Sequence, residues 1–348
     1  AAFLDSRERK GKGPLPAAPG SSRNDFSTKK PRLDQRAFIE FVREIDAYVL
    51  AKYPDLSSRS ISLSCLDMEK TLTTSDGSDS YSMIPRSIVG VSLSIEKDGT
   101  PVDLAKPFGG LGQFEDVFTS PEDLYPGIEA LYEHLRRKSE GVYARAGLHT
   151  CVLDADLAGI LAHEAIGHTT EADLVITGSV AGPLLGNEAV SPLITLIDFA
   201  HEFKGKDCPV PVYIDDEGTV AKDAVIIENG ILRGFMHNKD SASLYGVAPT
   251  GNARAYQFSD EPLVRMRNTA IVPGASSFQD MIASVEDGYY LAKPTNGQAD
   301  MTSEFMFGVS LGYEIKDGKL GRAIKDTTIS GIAFDVLRTV TMVSNDME

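Results

Sequence analysis

The chain has 348 residues, of which 42% are hydrophobic and 24% charged, a composition typical of globular proteins and a length sufficient for more than one hydrophobic core. Its formal net charge of -16 opposes binding to phosphate backbones, so we expect no nucleic-acid partner. We also expect no membrane association and a cytoplasmic location, because the sequence lacks both a run of eighteen apolar residues and the basic-then-apolar start of a secretory signal.

The first segment carries no predicted element. Residues 1–33 are rich in Gly, Pro, Ser and basic residues and have no apolar periodicity, which predicts a flexible tail or linker. From Asp34 onward, apolar residues recur at helical spacing until Pro54 stops the run. This pattern predicts one amphipathic helix.

A β-rich segment follows at residues 58–98. The runs SISLSCLDME and SIVGVSLSIEKDG predict two strands, and the polar stretch between them predicts a hairpin turn. Ser120 and Pro121 supply an N-cap and a proline at the first helical position, which predicts a helix that reaches Lys138. Together these elements predict an N-terminal α+β domain over residues 34–140, an antiparallel sheet with helices, which we expect to be incomplete.

Residues 141–348 carry one helix followed by many strand signals. The run LHTCVLDA predicts a buried strand directly before the helix that contains His163. Short helices are predicted near residues 239–246 and 331–340. This part is therefore expected to be a mostly antiparallel β C-terminal domain that carries the histidine helix, in an α+β fold. The predicted strands are LITLIDFA, VPVYIDD, AVIIENGILRGFM and GYEIKDGKL, with hairpin turns at Asn229-Gly230 and Asp317-Gly318.

The three cysteines show no metal-binding spacing. Cys65 and Cys151 lie in strand-like runs, where we expect them to be buried packing residues. Cys208 precedes a predicted strand and has no helical relation to the histidines. An odd number of cysteines without a C-x-x-C pair suggests neither a disulfide framework nor a zinc ribbon.

The chemistry centres on the segment His163-Glu164-Ala-Ile-Gly-His168. Neutral imidazole is the commonest zinc ligand, and a carboxylate beside a metal can take a proton from the attacking water. His163 and His168 are therefore the candidate metal ligands and Glu164 is the candidate catalytic base. The alternative, from these residues alone, is that two polar side chains end a helix and interact with its dipole.

The spacing of the two histidines demands a distorted helix. Metal-binding histidines on a regular α-helix are four residues apart, whereas five residues at about 100° each place His163 and His168 roughly 140° apart. A π-type turn, whose hydrogen bonds join residues five apart, would bring the two rings together. We therefore predict distortion at Ala165–His168, with Gly167 relaxing the backbone.

Two acids close to the motif are candidates for orienting a ligand. Glu171 and Asp173 follow His168 closely enough to accept a hydrogen bond from a metal-bound imidazole, as such rings usually require. A solvated acidic turn is the alternative. By contrast, the His201-Glu202 pair has no second histidine at a useful spacing, which favours a role unrelated to the metal.

Charged residues farther along the chain are weaker candidates. Arg254, Arg265 and Arg267 could receive a peptide carboxylate through paired hydrogen bonds, or they could form ordinary ion pairs with the many acids. The acidic run at residues 215–217 could hold a cation, but such a run more often makes a tight acidic turn.

Several segments, in order and at suitable spacings, resemble the TldD/PmbA family of peptidases from Gly147 onward, and the preceding α+β region does so more weakly. The resemblance implies a zinc peptidase that cuts small or unfolded peptides in peptide maturation and turnover. The family's older description as a DNA gyrase modulator gains no support from the acidic charge. The matching segments are AGILAHEAIGHTTEADLV, YIDDEGT at 213–219, IIENGIL at 226–232, TGNAR at 250–254, RMRNT at 265–269 and IVPG at 271–274.

The resemblance also implies a partner and a particular role. Members of the family work as homodimers or as pairs of TldD-type and PmbA-type subunits, and only the TldD type carries H-E-x-x-x-H. Because His163, Glu164 and His168 are all present, the chain is similar to the catalytic, TldD type. In the family a third zinc ligand is a cysteine in a C-terminal Cys-Gly-Lys segment, which this sequence does not contain.

The missing cysteine leaves the predicted metal shell open. We expect one of three situations: the C-terminal domain is truncated before that ligand, the remainder of the chain is disordered, or another group completes the metal shell. Cys208 is the spare thiol nearest to the motif in sequence, although a packing or surface role suits it better. Zinc is therefore the expected cofactor, and it could be absent from this chain.

Three functions remain open at the level of sequence. The first is a zinc-dependent peptidase acting on an extended peptide that pairs with a strand edge, with Glu164 activating water. The second is a catalytically silent subunit that binds peptides or a partner chain. The third is an amidase or other hydrolase that uses the same residues on a non-peptide substrate.

Overall fold

The computed structural model describes residues 19–347 of the chain. The predicted tail therefore enters the described residues only at Pro19, and its first eighteen positions lie outside them. Strand β1 is formed by Ser21–Asp25 and pairs in parallel with residues 79–83. The expectation of a flexible tail is thus wrong for this stretch, because its backbone groups complete the edge of a sheet.

The first helix, α1, spans Gln35–Lys52 and confirms the prediction. Asp34 caps it, since its side-chain oxygen accepts a hydrogen bond of 2.9 Å from the backbone N–H of Ala37. Phe41 and Ile45 lie on its buried face, at the spacing that the apolar pattern predicts.

The N-terminal sheet is built on a long antiparallel hairpin that confirms the predicted β segment. Its strands are longer than expected, so the turn between them covers only residues 74–78. The third strand of the sheet also pairs with the fourth, and the helix predicted from Ser120 is present as a 3-10 turn that continues into an α-helix. The elements are β2 Ser58–Thr73, β3 Asp79–Lys97, β4 Thr100–Leu111, α2 Phe114–Val117, the 3-10 turn Pro121–Leu124 and α3 Tyr125–Ser139.

The second part of the chain is mostly antiparallel β, as predicted. Its helices are α4 Ala155–Ile160, the π-helix Leu161–Gly167, the 3-10 turn His168–Thr170, α5 Ala172–Ile176, the 3-10 turn Gly182–Leu184, α6 Lys239–Tyr245, α7 Phe278–Ala283 and α8 Ala333–Arg338. Its strands are β5 Thr150–Leu153, β6 Leu196–Phe199, β7 Glu202–Phe203, β8 Lys206–Asp207, β9 Ala224–Glu228, β10 Ile231–Leu232, β11 Ala253–Arg254, β12 Leu263–Val264, β13 Asn268–Ile271, β14 Asp287–Ala299, β15 Glu304–Lys316, β16 Lys319–Ile324 and β17 Thr327–Ile332.

Two sheets support the histidine helix. One has the strand order β16-β15-β14-β5, with β17 also paired to β15, and the other has the order β10-β9-β6-β13. Strand β5 pairs in parallel with β14, and the chain passes from β5 directly into α4. The helix therefore starts at the end of a sheet, which fixes where its histidines lie.

The hydrophobic core of the N-terminal part continues into the second part. Val91 and Leu93 of β3 pack with Ile128 of α3, and the same cluster includes Leu311 and Tyr313 of β15. The boundary near residue 140 therefore stays a prediction. Among residues 19–347, no helix is both long enough and apolar enough to cross a membrane.

Both predicted hairpin turns are present. Asn229 and Gly230 have φ angles of 49° and 83°, and Asp317 and Gly318 have φ angles of 47° and 70°. Two successive residues with positive φ match the twist of the flanking strands, which is why Asn-Gly and Asp-Gly favour this turn.

Two local expectations are wrong. The run VPVYIDD forms no strand; only an isolated bridge joins Ile214 to Val220. Asp215 explains this, because its carboxylate captures nearby backbone N–H groups that a strand would offer to its neighbour. The expected burial of two cysteines is also wrong, since Cys65 and Cys151 are exposed, whereas Cys208 is buried, as a packing role requires.

Candidate metal centre

The helix that carries the motif changes geometry part of the way along. Asp154 caps α4 through a 2.8 Å hydrogen bond from the backbone N–H of Leu157. The chain then adopts a π-helix, and the backbone N–H of His168 donates to the carbonyl of His163, five residues earlier. The predicted distortion is confirmed, and it begins earlier than expected, at Leu161.

The π-helix brings the three motif side chains together. The rings of His163 and His168 lie 5.1 Å apart between centroids, at an angle of 79°. One potential ligand atom from each histidine and one from Glu164 all lie within 4.8 Å of one another. These side chains are only partly buried, whereas Ala162 and Ile166 point into the core. The helix therefore presents its polar face at an accessible surface.

Gly167 has a role that differs from the one predicted. Its φ of -55° is an ordinary helical value, so the backbone gains nothing from a glycine there. A side chain at this position would overlap the sulfur of Met266, which packs directly against the helix. Gly167 therefore allows close packing of Met266, a residue that the sequence pattern did not single out.

A fully buried acid lies behind His168. Glu171 Oε1 is 3.3 Å from His168 Nδ1, and its Oε2 accepts a 3.2 Å hydrogen bond from Arg265 Nη1. The adjacent Glu171 carboxylate raises the pKa of His168, while burial raises the pKa of Glu171 itself. Since Nδ1 faces Glu171, the Nε2 atom of His168 is directed towards Glu164, at 3.8 Å from Glu164 Oε2.

The other predicted orienting acid does not reach the histidines in this way. Asp173 accepts a 2.9 Å hydrogen bond from the backbone N–H of Leu174, and burial raises its pKa. It therefore shapes the start of α5. Burial, reinforced by the positive charge of His168, lowers the pKa of His163, which favours the neutral imidazole that a metal requires.

The donor set suits a zinc ion. Zn–N bonds of about 2.0–2.1 Å place tetrahedral ligands roughly 3.3–3.4 Å apart. The ligand atoms of His163 and His168 lie within 4.8 Å of each other, so a rotation of the side chains can close the difference. Glu171 also supplies the carboxylate support that a zinc-binding imidazole usually has.

The three arginines have different environments. Arg265 pairs with Glu171, as described above. Arg267 is fully buried and forms a 2.8 Å ion pair with Asp198, which also accepts a hydrogen bond from Asn252. Arg254 donates a 2.7 Å hydrogen bond to the carbonyl of Met266, and burial lowers its pKa. Arg267 is therefore structural, and sequence alone offered no signal for its partner Asp198.

The acidic turn and the spare thiol serve the scaffold. Asp215 accepts hydrogen bonds from the backbone of Glu217, Thr219 and Ala253, which makes a tight turn and supports the structural interpretation. Cys208 is buried, its backbone bonds to His201, and burial raises the pKa of its thiol to about 11. Neither Cys208 nor His201 belongs to the cluster of potential ligands found among residues 19–347.

The chain has relatives among known proteins. Residues 146–348 match the family described as the PmbA/TldA metallopeptidase C-terminal domain. The chain is 31% identical to a metalloprotease TldD homolog of Haemophilus influenzae, over 89% of the chain and 65% of that protein. It is 32% identical to a zinc metalloprotease TldD homolog of Saccharolobus solfataricus, over 68% of the chain and 52% of that protein.

The fold also matches a solved structure. TldE from Thermococcus kodakarensis superposes with a TM-score of 0.73 at 16% identity, covering 98% of the chain and 77% of that protein. The chain spans between about half and two thirds of the two curated relatives named above. The match to the family domain, together with these relatives, shows that the chain belongs to the PmbA/TldD family of metallopeptidases.

Proposed function

We propose that this protein is a zinc-dependent peptidase of the TldD type, which hydrolyses small or unfolded peptides. The observation that carries the proposal is the π-helix that gathers His163, Glu164 and His168 into one cluster with ligand atoms within 4.8 Å. Two imidazoles are common ligands of catalytic zinc sites, and a carboxylate beside the metal can serve as the general base. The relative from Saccharolobus solfataricus is itself named a zinc metalloprotease.

Each residue of the cluster has a distinct task in this proposal. His163 and His168 hold the metal through ring nitrogens, and the buried Glu171 keeps His168 in the required tautomer and orientation. A zinc ion supplies a Lewis acid that polarises a peptide carbonyl and lowers the pKa of water. Glu164 accepts the proton of the attacking water and passes it to the leaving amine.

The substrate follows from the accessibility of the cluster. His163 and His168 have side chains that are 45% and 36% exposed, so an extended chain can reach them, whereas a folded domain would have to unfold first. An extended peptide can also add to a strand edge through its backbone, which makes recognition tolerant of sequence. We further propose that the active assembly is a homodimer or a pair with a PmbA-type subunit.

Replacement of the base tests the proposal. Glu164→Gln keeps the size of the side chain but removes its ability to accept a proton, so peptide cleavage by zinc-loaded protein should fall by about 10²- to 10⁴-fold. Glu188→Gln is the matched control, because Glu188 is exposed and lies outside the cluster. Cleavage of an unstructured peptide, followed by mass spectrometry, measures both variants.

Three other outcomes would contradict the proposal. Full cleavage by Glu164→Gln would overturn the proposed role of the base. No cleavage and no zinc in the wild-type protein would indicate a silent peptide-binding subunit instead. Hydrolysis of simple amides but not of peptides would indicate an amidase that uses the same residues.

A further inference from the structure

Two arginines, one in the N-terminal sheet and one in the second part of the chain, lie close enough for the charge of one to act on the other. Arg86 lies on β3, and its Nε atom is buried without a hydrogen-bond partner. Arg254 lies on β11 and donates to the carbonyl of Met266 at 2.7 Å. Among residues 19–347, neither guanidinium forms an ion pair with a carboxylate. Two cations therefore share one region, and neither is hydrogen-bonded to a carboxylate of the described residues.

The acids nearest to Arg254 are already engaged. Asp216 forms a 2.6 Å ion pair with Lys70 and accepts a 2.8 Å hydrogen bond from the backbone N–H of Ala255. Asp198 is bound to Arg267, as described above. Burial lowers the pKa of Arg254; the charges of Asp216 and Asp198 oppose this shift, and the charge of Arg86 adds to it. The Nε atom of Arg86 is a buried donor without a partner, which is costly, so this arrangement favours an anion from outside the described residues.

The arginines lie next to the candidate metal centre. Met266 links the two places, since its carbonyl accepts the hydrogen bond from Arg254 while its sulfur packs against Gly167 of the π-helix. Only one residue therefore separates the guanidinium of Arg254 from the helix that carries His163 and His168. A residue of extended peptide spans about 3.3–3.6 Å, so a peptide bound at the metal would reach Arg254 within a few residues.

We propose that Arg86 and Arg254 bind the C-terminal carboxylate of the peptide substrate. Guanidinium groups form paired, charge-assisted hydrogen bonds with carboxylates, and two of them can hold one carboxylate from both sides. The inference rests on the proposed peptidase function and specifies which end of the peptide the site recognises. Cleavage falls within a few residues of the C terminus, and a free carboxylate is required for full efficiency.

Two peptides that differ only at the C terminus test this inference. One ends in a free carboxylate and the other in a carboxamide. The wild-type protein should cleave the acid with a kcat/KM about tenfold to a hundredfold higher than the amide, mainly through a lower KM, because the amide cannot accept the charge-assisted bonds.

Variants assign the preference to the two arginines. Arg254→Gln and Arg86→Gln should each lower kcat/KM for the acid towards the value for the amide, and lower kcat/KM for the amide far less. Arg254→Lys should retain part of the preference, because the charge remains. Arg322→Gln is the control, since Arg322 is exposed and pairs with Glu314 at 2.8 Å.

Binding separates this inference from the proposed function. Calorimetric titration of both peptides into the Glu164→Gln variant requires no catalysis, and the acid should bind more tightly unless Arg254 or Arg86 is also replaced. Equal binding of acid and amide would overturn the inference even if the peptidase activity is confirmed. An equal loss of binding for both peptides in the arginine variants would show that the arginines have a structural role, and would overturn the inference as well.

Discussion

The orientation of His168 depends on one buried residue, Glu171. Its carboxylate lies 3.3 Å from His168 Nδ1 and is held from the other side by Arg265. Glu171→Gln removes the negative charge and half of the acceptor capacity, so we expect zinc affinity to fall by about 10- to 100-fold. Competition with a chromophoric chelator measures the change.

Asp173→Asn is the matched control for Glu171→Gln. Asp173 is also a carboxylate with a pKa raised by burial, but its hydrogen bond goes to the backbone of Leu174. Its replacement should leave zinc affinity within about twofold of the wild-type value, since exposed or capping groups outside the metal shell contribute little. Equal losses in both variants would contradict the assigned role of Glu171.

Residue types and spacing were sufficient to predict the ligands but not their supports. His163, Glu164 and His168 form a recognisable sequence pattern, and Glu171 was a candidate because it follows closely. The pattern could not show that Arg265 neutralises Glu171, because the two lie 94 positions apart in sequence. Contacts between distant residues depend on the tertiary fold, which local spacing does not encode.

At the scale of the element, the π-helix depends on close packing at Gly167. Gly167→Ala places a methyl group against Met266 and 3.3 Å from the carbonyl of Ala162, so the free energy of unfolding should fall by about 1–3 kcal/mol. In Gly159→Ala, in α4, the new methyl group meets no atom within 4 Å, so the free energy of unfolding should rise by up to about 1 kcal/mol. Urea denaturation measures both.

A second substitution identifies the cause. Met266→Ala removes the sulfur that occupies the space above Gly167, so it should reduce the cost of Gly167→Ala when the two are combined. Additive costs would indicate that the alanine disturbs the backbone of the π-helix instead of its packing.

The elements that sequence predicted well are those governed by local chemistry. The Asn229-Gly230 and Asp317-Gly318 turns and the cap at Asp34 need only neighbouring residues. The run VPVYIDD was predicted wrongly, because the β propensity of its apolar residues is overridden by Asp215, whose carboxylate binds the backbone of Ala253 as well as nearby groups.

At the scale of the whole molecule, the tip of the long hairpin fastens the two parts of the chain together. Asp76 forms a 2.7 Å ion pair with Lys239, and the hydroxyl of Ser78 donates a 2.8 Å hydrogen bond to the carbonyl of Gly218. The sequence of this tip predicts only a polar turn. Its partners lie more than a hundred residues away, so only the tertiary structure could reveal that the polar residues are contacts.

The stability of the whole molecule should depend on pH through His237. This side chain is 5% exposed, and burial lowers its pKa to about 4. Between about pH 6.5 and 4, the unfolded chain binds a proton at this histidine while the folded chain does not, so stability falls as the pH falls through this window. Above pH 6.5 both states are neutral and the contribution disappears.

His237→Gln isolates this contribution from the other titrating groups. At about 1.4 kcal/mol per pH unit, the wild-type protein should lose roughly 3 kcal/mol between pH 6.5 and 4 that the variant does not lose. The buried acids whose pKa is raised, such as Asp215 and Glu217, act in the opposite direction but equally in both proteins. The difference in the free energy of unfolding between the two proteins, measured by urea denaturation at several pH values, therefore reports His237 alone. Parallel pH profiles would show that His237 becomes protonated in the folded state as readily as in the unfolded chain.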